Sequence, residues 1–195
     1  MSLRAGESCQ PPAGIPAEQI ISETRRWLEV AVIGLNLCPF AAGAQNGNRV
    51  RYCVSNHQTT AGLLEELSHE LQTLQATDPM KCETTLLIHP WVLNDFYHYN
   101  EFLSEGDAAL TALGLDGELQ IASFHPDYLF ANSDAQDMQN YSNRSPYPML
   151  HLLREASITR AVDGYPGIDD IVPNNMRTLR ALGVAGWQRL WTDKS

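Results

Sequence analysis

Apolar positions along the chain recur at two spacings, and the switches between them divide it into elements. From Pro16, the residues Ile20, Ile21, Thr24, Trp27, Leu28, Ala31 and Val32 fall at three- and four-residue intervals. That places them on one face of a helix, which Gly34 and Pro39 bracket at its end. "RVRYCVS" predicts a short strand from Val50 to Val54, and Leu63, Leu64, Leu67, Leu71 and Leu74 then mark a helix from Thr60 to Gln75. "ETTLLIHP" rises from threonines into Leu86, Leu87 and Ile88 and stops at His89 and Pro90, as a strand does. A helix follows from Asn94 to Leu113, with Asp95 at its positive end. "LQIASFHP" predicts a third strand, Leu119 to Phe124, which also ends in a His-Pro pair.

Beyond it, Ser145 and Pro146 read as a helix start. On that helix Met149, Leu152, Leu153 and Ala156 form the core face, while His151, Arg154 and Glu155 share another. A last helix after Asp170 packs through Met176, Leu179 and Leu182, and "WQRLW" covers the C-terminal end.

The strand-helix-strand-helix-strand order predicts one compact α/β domain from residue 16 to 195, with a small, mostly parallel sheet and packed helices. A ferredoxin-like α+β arrangement is the alternative. Residues 1–15, rich in small and chain-breaking types, are expected to form a flexible N-terminal segment. If the strands are parallel, His89 and His125 emerge at their carboxyl ends, where binding groups line the crevice of an open sheet.

Composition narrows the chemistry. In a chain of 195 residues, 13 Lys and Arg against 23 Asp and Glu give a formal charge of −10, which disfavours general nucleic-acid binding. No apolar run approaches the roughly 18 residues of a membrane span, and the four cysteines form no CxxC pair. A cytoplasmic protein with reduced thiols and a small-molecule ligand is the expectation. No phosphate-binding glycine loop is present.

The candidate chemistry is dispersed. His89 and His125 are expected to act in catalysis or as ligands of a divalent transition metal, with His151 and Glu155 completing the metal site from one helix face. The metal would polarise a substrate oxygen or activate water. Cys38, in "IGLNLCPF", is the nucleophile of a metal-free thiol alternative. Arg144 and Tyr147 are expected to hold the anionic end of a substrate. A noncatalytic ligand- or metal-binding module is the remaining reading. Plain structural roles compete throughout: strand-ending histidines can bond turn backbone, and cysteines can simply pack.

Four stretches, "WLEVAVIGLNLCPF", "ETTLLIHPWVLNDFYHYNEFL", "LQIASFHPDYLF" and "NYSNRSPYPMLHLLRE", resemble the DUF1415 family of bacteria and plastids, over roughly residues 20 to 185. Ser142 stands where the family pattern often has threonine, an exchange that keeps the hydroxyl. The resemblance implies no particular reaction, cofactor or site residue.

Overall fold

The computed structural model describes residues 14–163 and 167–192. The predicted N-terminal segment therefore lies outside the described residues up to position 13, Cys9 included.

Helix α1 (Ala17–Trp27) buries Ile20, Thr24 and Trp27, the face that its periodicity predicts. The helix does not stop there. It widens into a π-helical turn, Leu28–Ile33, which keeps Leu28, Ala31 and Val32 buried before Gly34. A short helix, α2 (Ala41–Asn46), leads to strand β1 (Val50–Val54). Helix α3 (Thr60–Ala76) begins where the Thr59 hydroxyl accepts from the Gly62 amide, satisfying one of the unpaired N–H groups of the first turn. Strand β2 (Thr84–Ile88) is buried at all five positions, and Asp95 caps α4 (Phe96–Ala112) by accepting from the amides of Tyr97 and His98. Strand β3 (Leu119–Phe124) has its predicted bounds.

The segment after Ser145 differs from the helix predicted there. Met149–Arg154 is a fourth strand, β4, and helix α5 (Glu155–Asp163) starts only afterwards. β4 is inserted between β2 and β3, so the sheet order is β1-β2-β4-β3. A central strand packs on both faces, and its continuous apolar run then carries no period that separates it from a buried helix. Met149, Leu150 and Leu152 are all buried.

The sheet is mixed rather than mostly parallel. β1 and β2 pair in parallel, whereas β4 runs antiparallel to both neighbours. The chain returns from β3 through 125–148, where the one helical turn is a 3-10 piece, Met138–Ser142, so no crossover helix turns β4 to the common direction. β1 and β2, joined by α3, lie side by side; β2 and β3, joined by α4, are held one strand apart. β1, β2 and β3 nevertheless all point the same way.

Helices cover both faces. Leu63, Leu67 and Leu71 of α3 and Tyr99 and Phe102 of α4 pack on Leu87, Leu150 and Leu152. On the opposite face α1 and the π turn bring Ile20, Trp27, Leu28 and Ala31 onto Leu86, Ile88 and Met149. The last helix, α6 (Ile171–Thr192), adds Trp187 and Trp191 to that layer and is interrupted at Gly183, whose φ of 62° suits a residue without a Cβ.

Candidate functional site

Because β2 and β3 are co-directional, His89 and His125 emerge at the same edge of the sheet, as expected from the strand ends. Tyr99 of α4 stands between them, its ring 5.7 Å from His89 and 5.1 Å from His125. Backbone groups occupy three of the four imidazole nitrogens. The Asp127 amide donates to His125 Nδ1 at 3.0 Å, so the ring proton sits on Nε2 and donates to the Leu93 carbonyl at 3.2 Å. His89 Nδ1 donates to the Val92 carbonyl at 3.0 Å, which leaves Nε2 as a buried atom without a hydrogen-bond partner. Burial pushes His89 down to about 4 and lowers His125 as well, so both are neutral near pH 7.

This edge acts as a latch. His89 N donates to the Pro148 carbonyl and His125 N to that of Asn143, tying both strand ends to the chain that leads into β4. The Tyr99 hydroxyl donates to the Met149 carbonyl at 2.8 Å and accepts from the Phe124 amide at 3.0 Å. Tyr99→Phe removes both bonds while leaving the ring. It is expected to cost about 2 kcal/mol of stability, read as a lower urea midpoint at unchanged slope; an unmoved midpoint would deny the hydroxyl its role.

His151 and Glu155 do not join this edge. Along β4 the side chains alternate, and Leu150 and Leu152 face α3 and α4, so His151 faces α1. There its Nε2 lies 2.7 Å from Thr84 Oγ1, and the threonine proton is already given to the Leu152 carbonyl at 2.6 Å. His151 Nε2–H is therefore the donor. Burial holds this imidazole at about 4. Glu155 leaves β4 at the end opposite Met149, with its amide donating to the Glu118 carbonyl at 2.9 Å. The expected pairing of His151 with Glu155 across one helical turn is thus replaced by strand geometry, which separates residues i and i+4 by about 13 Å. Among the described residues no group of three or more His, Cys, Asp or Glu side chains is placed to hold a metal ion. Cys38 is half-buried beyond the π turn, packed against the cluster on the α1 face, and no hydrogen bond joins it to a histidine among the described residues.

Arg144 sits elsewhere, in a cleft of about 470 Å³. Glu23, Arg26 and Trp27 of α1 form one wall, Pro126, Tyr141 and Arg144 to Pro146 a second, and Val184, Trp187, Gln188 and Trp191 a third. The Arg144 guanidinium lies 4.4 Å over the Tyr141 ring, donates through Nη2 to the Ala135 carbonyl at 2.8 Å and through Nε to that of Tyr128 at 3.4 Å. Its own carbonyl accepts from Trp27 Nε1 at 2.9 Å. Both ends of the residue are fixed. Arg26 Nη2 donates to the Trp191 carbonyl at 3.1 Å, fastening the end of α6 to α1. Tyr147 is one step removed: its hydroxyl donates to Glu23 Oε2 at 2.5 Å, and burial with that carboxylate raises the phenol.

The model of the family described as "Protein of unknown function (DUF1415)" matches residues 19–189. The chain belongs to DUF1415. No curated protein and no solved structure matches it. The DUF1415 match contains the histidine latch, β4 and most of the cleft lining; Trp191 lies just beyond it.

Arg144, expected to hold a substrate, lines the cleft; Arg26, Trp187 and Trp191, which line it as well, were not singled out as ligand-binding residues. A signal was present: the chain has four tryptophans, and the two in "WQRLW" stand four residues apart, hence on one helix face. Arg154, expected to share a helix face with His151 and Glu155, instead ends a strand. From β4, its Nη2 reaches the carbonyls of Leu74, Thr77 and Cys82, at 2.5, 2.6 and 3.1 Å, and so terminates α3.

Proposed function

We propose that this DUF1415 protein binds a small anionic organic molecule in the cleft, with Arg144 as the anion-holding residue. The observation that carries this reading is the state of that guanidinium. Stacking on Tyr141 and donation to the Ala135 and Tyr128 carbonyls orient it, while no hydrogen bond among the described residues uses Nη1. A planar fork held in place before binding loses little entropy when it meets a carboxylate.

The lining supports binding more than chemistry. Its one carboxylate, Glu23, already accepts from Tyr147, and neither cysteine nor histidine lines the cleft. A noncatalytic ligand-binding module is therefore the form of the proposal that these residues favour. Calorimetric titration with benzoate tests it. Arg144→Gln is expected to weaken binding about tenfold or more, the cost of losing a charge-assisted bond, and Arg144→Lys to recover little of it because one ammonium does not reproduce the fork. Unchanged benzoate affinity in the folded Arg144→Gln protein would overturn the assignment.

A further inference from the structure

We infer that the cleft selects a flat aromatic monocarboxylate, an inference that rests on the anion-binding reading above. Charge and ring geometry carry it together. Among the described lining residues Glu23 is the one carboxylate, and it already accepts from Tyr147, so the cation it leaves for a ligand is Arg144, with its oriented guanidinium and unused Nη1. The chain as a whole carries −10. That field repels multiply charged anions at long range and leaves a single local charge to be matched. Arg26 is committed to the end of α6 through the Trp191 carbonyl, which makes Arg144 the partner of one carboxylate rather than half of a clamp for two.

The aromatic wall selects the rest of the molecule. Trp187 meets Trp191 at 5.6 Å and 70°, and Tyr141 meets Trp187 at 5.1 Å and 72°. These are edge-to-face contacts. Each such contact covers part of one ring only, and both tryptophans are half-buried and line the cleft, so indole surface is left there for a planar guest. Three of the chain's four tryptophans, Trp27 being the third, line this one cleft. Its volume of about 470 Å³ lies within the ordinary range for small organic ligands. A saturated ring of similar size would keep the ion pair but lose face-to-face contact with the indoles.

The test compares 1-naphthoate, the saturated decahydronaphthalene-1-carboxylate and neutral 1-naphthamide on the full chain, following the indole N–H signals of Trp187 and Trp191 by NMR after assignment by single Trp→Phe substitutions. Naphthoate is expected to shift both signals and to bind about tenfold more tightly than either comparator, since stacking and the charge-assisted bond are each of that size. Equal affinity for naphthoate and decahydronaphthalene-1-carboxylate would overturn the aromatic class while leaving an anion site. Equal affinity for naphthoate and naphthamide would instead overturn the anion reading beneath it. Absence of any shift at millimolar naphthoate would overturn both.

Discussion

Lowering the pH from 7 to 4 is expected to remove on the order of 5 kcal/mol of stability through His89 and His151 alone. His89 and His151 are each held at about 4 by burial, against an ordinary value of 6.5. The folded-state values are depressed, so the unfolded chain takes up protons that the folded chain refuses. Stability is therefore complete above pH 6.5, falls as the pH drops towards 4, and loses nothing more from these groups below that. Each shift corresponds to about 3 kcal/mol. Carboxylates join only near the lower end of the window, where the unfolded chain begins to protonate them. Urea unfolding at a series of pH values should show ΔG falling between pH 6.5 and 5, with the slope smaller by nearly one proton in His151→Gln. An unchanged slope in that variant would remove His151 from the account.

Arg154→Ala is expected to lower stability by about 3–4 kcal/mol. The wild-type guanidinium closes the C-terminal end of α3 by bonding the carbonyls of Leu74, Thr77 and Cys82. Alanine leaves those oxygens short of a donor in a partly buried place and removes a cation from the negative end of a 17-residue helix. Lysine should restore part of the loss, because an ammonium supplies charge and donors without the planar fork. Chemical unfolding of Arg154→Ala and Arg154→Lys decides the matter: a loss below about 1 kcal/mol in the alanine variant would make the cluster ornamental.

His151, Arg154 and the Tyr99 bond to Met149 all belong to β4, the element that the sequence concealed. β1 and β3 were legible because each is short, β-favouring and bounded by turn residues, and α3 because its leucines recur on one face. Met149 to Arg154 satisfied a helical spacing by coincidence, since Leu152 and Leu153 are adjacent and a strand packed on both faces needs no alternation. The His89 and His125 edge was legible because two strand ends shared a residue pair. Its partner Tyr99 comes from the first turn of α4, and no strand-end signal marks it. The cleft was illegible for another reason: its walls come from α1, the 126–146 segment and α6, and Arg26 meets Trp191 across 165 positions of chain. Spacing within one element cannot show a meeting between three.

The placement of β4 also sets an order of events during synthesis. Of the two interior strands, β4 is the last of the four to leave the ribosome, and its fastenings reach far back: Tyr99 to Met149 across 50 positions, Thr84 to His151 across 67 and Leu74 to Arg154 across 80. A nascent chain that has delivered residues up to 148 has β2 and β3 with no strand to join them, and β2 is buried at all five positions in the finished sheet. Such separations make folding slow and leave an open edge exposed to other chains while it waits. The protein should consequently acquire its sheet in one late step, after β4 emerges, and chains stopped short of Met149 should be substrates for chaperones rather than smaller folded domains.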